Sequence, residues 1–165
     1  MKLSQCVIIL LIAFIFLISA TTPVLGATVK LQTWDLVDSG KHLDWGGSTT
    51  YQSEFNASVV TWNNYKAGII RKDGIANLKD VTISDYSLQD SYSGVTSPSG
   101  TLKFNTYYMK DYSTDVRKNV CTHELGHALG LDHNSQGDVM YSQVTVRNDL
   151  SANDKASYDA AYLRY

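Results

Sequence analysis

"CTHELGHALGLDHNSQGDVMY", residues 121–141, decides how this chain must be read. The chain has four histidines, and three of them, His123, His127 and His133, fall in this stretch. On a helix, positions i and i+4 share a face, so His123 and His127 can aim two imidazoles at one ion. Glu124 stands next to the first of them and can reach water on that ion without binding it. A helix running on past Gly130 would carry His133 away. Glycine tolerates positive φ and ends helices, so the chain can turn back there and present His133 as a third nitrogen ligand.

Three nitrogen ligands leave the fourth tetrahedral position to water, which is the arrangement of a catalytic zinc rather than a structural one. A lone histidine on a helix is usually just a core or surface residue, and H-E-x-x-H alone occurs by chance. Here the extended pattern is complete at His123, Glu124, His127, Gly130 and His133, with Met140 a short distance on. Chance agreement at all these positions is remote.

The rest of the chain can support such a site. Its 165 residues are enough for one domain with a real core. Apolar content is 44% and charged content 18%, which reads as globular. A net charge of −2 without a large basic run gives no reason to expect nucleic acid. Lys2, the apolar run of residues 7–18 and the small residues Ser19, Ala20, Gly26 and Ala27 form the pattern of a secretory signal peptide. The run is short for a membrane span. We therefore expect a signal peptide at residues 1–26, cut after Gly26 or, alternatively, after Ala20. One domain at residues 27–165 follows, exported and without stable membrane association. Cys6 leaves with the signal, so Cys121 remains without an intramolecular partner.

The expected fold class is α+β. Thr49 and Gln52 suggest a capping box, and Tyr51, Phe55, Val59 and Trp62 then recur at helical spacing to about Lys66. Short strands are expected at residues 68–71, 80–86 and 101–108, with residues 89–100, rich in Ser and Gly, as loop. Ser113 or Thr114 caps a second helix ending at Gly130. Ser151 and Asp154 open a last helix ending near Tyr162. The expected order is one helix, a small sheet, then two helices.

The stretch resembles the metzincin metallopeptidases, and within them the matrixin-like group. "HELGHALGLDH" (residues 123–133) matches the long zinc motif, and "DVMY" (residues 138–141) matches the Met-turn. The resemblance implies a zincin fold: a small twisted mixed sheet with two long helices and a C-terminal helix. It implies Met140 as the hydrophobic base under the metal. Residues 100–108 are similar to the family's edge strand above the cleft, which makes Thr101, Leu102 and Lys103, together with Tyr141, the expected substrate contacts. Three departures stand out. The family's vertebrate enzymes hold a second, structural zinc with its own histidines, but only His42 is left over, and Phe104 stands where the edge strand would offer one. No propeptide with a zinc-capping cysteine fits between the signal and Thr28. Ser142 follows Tyr141 where those enzymes usually have proline. A minimal, secreted, microbial relative is the expectation.

The implied activity is that of a zinc endopeptidase acting on protein or peptide substrates, the extracellular matrix being the setting the family suggests. Glu124 is expected to act as general base. Side-chain preference is expected from a pocket walled by residues 134–138 and 141–146. One catalytic zinc and a monomer are expected. Calcium is allowed by the carboxylates Asp73, Asp80, Asp85 and Asp90, although their spacing matches no loop motif. The reading from another class is a secreted zinc-containing binding or toxin module without general proteolysis. Retention of Glu124 argues against it, because a structural zinc needs no base.

Overall fold

The computed structural model describes residues 26–75 and 78–165. The expected signal segment at residues 1–26 lies outside them except for Gly26. The elements in chain order are β1 (Leu43–Gly47), α1 (Gln52–Asn63), β2 (Ile70–Lys72), β3 (Val81–Tyr86), β4 (Gly94–Ser97), β5 (Thr101–Asn105), α2 (Thr106–Met109), α3 (Thr114–Ala128) and α4 (Ala152–Tyr162). The five strands form one mixed sheet in the order β2-β1-β3-β5-β4. The first four run parallel, and β4 is antiparallel to β5. The α+β class and the mixed sheet with long helices are therefore as expected from sequence.

Several details differ. The chain enters the sheet through β1 before the first helix, so the expected order lacked a strand. The sequence of β1, "LDWGG", hides it: Leu43 and Trp45 face the core, but Asp44 between them is buried as well. A buried carboxylate needs a partner, and Arg71 on neighbouring β2 supplies one with two hydrogen bonds of 2.8 and 2.7 Å. The capping box at Thr49 does not form. The Thr49 hydroxyl donates to Asp85 on β3 instead, and the Thr50 N–H donates to the same carboxylate at 2.7 Å. Asp85 thus ties the start of α1 to the sheet. The Gln52 amide turns outward to Asn56.

The third expected strand stops at Asn105. The Asn105 side chain accepts from the Tyr107 N–H at 3.1 Å and caps the short α2, so "TYY" is helical despite its β-favouring composition. Fully buried Asn105 also donates to the carbonyls of Leu88 (2.8 Å) and Tyr92 (2.9 Å), fixing the path into β4. That strand lies inside the stretch expected to be loop. Its presence moves β5 away from the sheet edge: β5 has β3 on one side and β4 on the other.

Helices α1 and α3 and the sheet share one core. Phe55 meets Trp45 and Phe104 edge-on, at 4.9 and 6.1 Å between ring centres. The Trp62 indole N–H donates to the Thr122 carbonyl at 2.9 Å, and the Thr122 hydroxyl donates to Ser58 at 2.9 Å, so α1 is bolted to α3 through satisfied buried polar groups. The expected caps of the later helices form. Ser113 accepts from the Val116 N–H, and Ser151 with Asp154 makes a complete capping box. Residues 28–36 run as a strap beside the end of α3, with Gln32 N–H to Gly130 O and Leu36 N–H to Ala128 O, both at 2.9 Å.

Candidate metal centre

Helix α3 carries His123, Glu124 and His127, and its ending delivers His133. Gly130 has φ +85°. Its N–H bonds to the His127 carbonyl at 2.9 Å, and the Leu131 N–H bonds to the Gly126 carbonyl at 3.0 Å. This pair of reversed bonds is the Schellman ending that the sequence implied. A side chain at Gly130 would in addition meet Asp35 Cβ at 3.0 Å, because the strap passes there.

The turn brings the three imidazoles together. One ring nitrogen from each of His123, His127 and His133 lies within 4.8 Å of the others. His123 Nδ1 is 2.9 Å from the Val139 carbonyl, and His127 Nδ1 is 2.9 Å from the Leu131 carbonyl. A carbonyl can only accept, so both Nδ1 atoms carry the proton and both Nε2 atoms offer a lone pair. Gln32 of the strap also reaches His127 Nδ1, at 2.7 Å. The atom placed there is Gln32 Nε2; since Nδ1 carries the proton, the amide turned over presents Oε1, otherwise without a partner, as the acceptor.

The donor set fits zinc. His123 Nε2 and His133 Nε2 are 3.3 Å apart. Two ligands about 2.05 Å from a tetrahedral ion would be separated by roughly 3.3 Å. Burial and mutual repulsion push the His123 imidazole down to about 3, and burial pushes His127 down to about 4. Both rings are thus held neutral, the state a metal ligand needs.

Met140 is 1% exposed and packs against α3 at Gly126. Its sulfur occupies the space a Cβ on Gly126 would need, 2.3 Å from that position. This accounts for a glycine in the last turn of α3: the helix backbone must approach the thioether closely. The Met140 and Val139 N–H groups both donate to the buried Asp154 carboxylate, at 3.1 and 2.9 Å. That second role of the capping residue could not be read from the sequence.

Glu124 is 5% exposed and borders an open cleft of about 710 Å³. Burial pushes its carboxyl up to about 7, opposed by hydrogen bonds from Thr96. Gly94, Val95 and Thr96 of β4 form one wall of the cleft, and Tyr141, Ser142 and Val144 the other. Tyr141 is therefore where it was expected. Thr101, Leu102 and Lys103 are not: they belong to β5, which β4 covers, and Leu102 is fully buried. The strand that borders the cleft is β4. Residues 134–138 do not line the cleft either, because the Asp138 carboxylate is turned inward to the Ser135 N–H (3.0 Å) and the Asn153 amide (3.0 Å).

One family model matches the chain, that of the matrixins, over residues 43–163. The chain belongs to the matrixin family. No curated protein sequence matches it. Among solved structures, the matrixin chain is similar to high choriolytic enzyme 1, a hatching enzyme zinc-protease from the medaka fish Oryzias latipes. That likeness has 21% identity and a TM-score of 0.35, and it covers 59% of this chain and 48% of that one. The chain thus matches about half the length of that protein.

Other ligand sets among the described residues are of a different kind. Asp38, Asp44 and Asp80 lie close together, but Asp44 is engaged by Arg71, and Asp80 accepts the Asp44 N–H at 2.7 Å. Asp85 holds the start of α1, and Asp90 accepts from the Tyr92 N–H at 2.8 Å. These carboxylates serve the fold, and nothing supports the calcium that the sequence allowed at Asp73, Asp80, Asp85 and Asp90. His42 sits beside Asp38, and Cys121 is a buried free thiol in α3. No helix among the described residues is long and apolar enough to cross a membrane.

Proposed function

We propose that this matrixin is a secreted zinc endopeptidase. The observation that carries the reading is the convergence of His123, His127 and His133 within 4.8 Å, the His123–His133 pair at 3.3 Å, with buried Glu124 in the same open cleft. A purely structural zinc is closed by four protein ligands; here three nitrogens face a cleft.

His123, His127 and His133 would hold the ion through Nε2 in the first two, whose Nδ1 protons are committed to Val139 and Leu131. Bound zinc supplies a Lewis acid that activates water and polarises the scissile carbonyl. Glu124 takes the proton of the attacking water on its carboxylate and delivers it to the leaving amine. Its burial in the wall of the cleft that the three histidines share places it for both tasks. An extended peptide adds to the free edge of β4 as a further strand, so backbone hydrogen bonds supply affinity. The wall at Tyr141, Ser142 and Val144 then sets side-chain preference. Export through a signal peptide at residues 1–26, a single catalytic domain at residues 27–165 and a monomer working with one zinc complete the reading.

The test is a casein and peptide-library digest with zinc-loaded protein beside Glu124→Ala. Internal cleavage by the wild type, absent in the variant at equal zinc content, is the expected result. No cleavage by fully zinc-loaded wild type would refute the reading and return the chain to the class of zinc-containing binding modules.

A further inference from the structure

The edge strand does more than bound the cleft. Thr96 is its third residue, and its hydroxyl lies 2.7 Å from Glu124 Oε2 and 3.0 Å from the Glu124 backbone carbonyl. A hydroxyl has one proton to donate, so it serves one of these acceptors at a time. Two residues earlier, Gly94 has no side chain, and this matters to the same carboxylate. A Cβ at Gly94 would stand 2.7 Å from Glu124 Cγ and 2.9 Å from Oε1. One face of β4 is therefore shaped around Glu124: an opening at Gly94 admits the side chain, and a hydroxyl at Thr96 holds its end.

We propose that Thr96 is the positioning residue for Glu124, with Gly94 providing the space that lets it act. The inference rests on the reading of Glu124 as the base. With Glu124 ionised, the Thr96 proton points to Oε2, a charge-assisted bond inside a low-dielectric wall. That bond, together with the opening at Gly94, fixes where the Glu124 carboxylate stands in the cleft it shares with the three histidines. Serine can do the same. Valine has the shape of threonine but can do none of it. Because Thr96 also belongs to the strand whose free edge would receive a substrate, the base is held in register with whatever pairs there.

The experiment compares Thr96→Val, Thr96→Ser and Gly94→Ala with the wild type, all zinc-loaded, on one internally quenched peptide. Thr96→Val is expected to lower kcat about tenfold or more, with KM within about twofold. Zinc affinity in a chelator titration should be unchanged. Thr96→Ser should recover most of kcat. Gly94→Ala, with Thr96 intact, should show the same kcat loss, because Glu124 must shift. Crystal structures of metal-free wild type and Thr96→Val supply a readout independent of turnover, and the Glu124 carboxylate should leave the β4 wall in the variant. Full kcat in Thr96→Val, or a serine variant no better than valine, overturns the proposal. If the wild type cleaves nothing, the endopeptidase reading fails and the crystal structures decide: an unmoved Glu124 in Thr96→Val overturns the positioning role, and a displaced one upholds it.

Discussion

Asp154, in the first turn of the last helix, accepts the backbone N–H of Met140 at 3.1 Å. Its other oxygen takes the N–H groups of Val139 and Ser151, each at 2.9 Å. The Val139 carbonyl in turn lies 2.9 Å from His123 Nδ1. A fully buried carboxylate remote from the cleft thus fixes the turn that orients a candidate zinc ligand.

Asp154→Ala strands three backbone donors at once. We expect it to cost about 3 kcal/mol of stability and to weaken zinc binding roughly tenfold or more. Urea unfolding of metal-free protein and a chelator titration measure the two effects. Zinc affinity equal to wild type would show that the turn holds without its anchor.

Gly126→Ala should destabilise, although alanine is the better helix former by about 1 kcal/mol. The new Cβ collides with Met140 Sδ, and overpacking of this kind costs about 1–3 kcal/mol. Combining it with Met140→Ala should cost less than the two single losses added together, because the second change removes the obstacle. Thermal unfolding of the four proteins closes the cycle; simple additivity would rule out the contact as the cause.

His133→Ala should weaken zinc binding more than about a hundredfold while leaving metal-free stability within about 0.5 kcal/mol, since the residue is exposed. The upward shift in Tm that excess zinc gives the wild type should shrink accordingly. An unchanged shift would move the third ligand elsewhere, with Asp132 the nearest candidate.

Alkaline pH should unfold the protein through its buried phenols. Burial pushes Tyr86 up to about 12 and moves Tyr158 and Tyr165 higher still, from an ordinary value of 10. The unfolded chain releases these protons near pH 10 while the folded chain retains them. Stability is therefore complete below about pH 10 and falls as pH rises toward the folded-state values. Tyr158 adds to this with a buried hydroxyl that has no partner. A tyrosinate absorbance titration followed alongside circular dichroism should show the last phenols ionising together with loss of structure. Complete ionisation in a folded protein would contradict the burial.

The metal-binding stretch was legible in the sequence because its logic is local. Helical spacing sets His123 against His127, and Gly130 supplies the one backbone conformation that returns His133. The caps at Ser113 and Ser151 are local too. What escaped depends on partners far along the chain. β1 is stabilised by pairing on both sides and by Arg71, not by its own composition. Thr49 had a capping residue's chemistry, but Asp85, from another strand, took its hydroxyl. β4 lies in a Ser- and Gly-rich stretch, and its glycine reads as loop until Glu124 is seen to fill the space above it. Once β4 was missed, β5 took its place as the expected edge strand, although β4 is the strand at the sheet edge beside the cleft.

The strap of residues 28–36 has a consequence in time. It bonds to the chain some hundred positions later, at Ala128, Gly130 and Asp132, and beyond them to Asn153 and Ser157. Contacts of such long sequence separation form late, because loop closure must come first. During synthesis, which runs from the N-terminus, the strap is not fully held until the last helix has emerged, and it has nothing to dock on until α3 is complete. Gln32 reaches His127 only then. A chain still on the ribosome accordingly lacks a finished histidine cradle, so the candidate metal centre is completed only after most of the chain has been made.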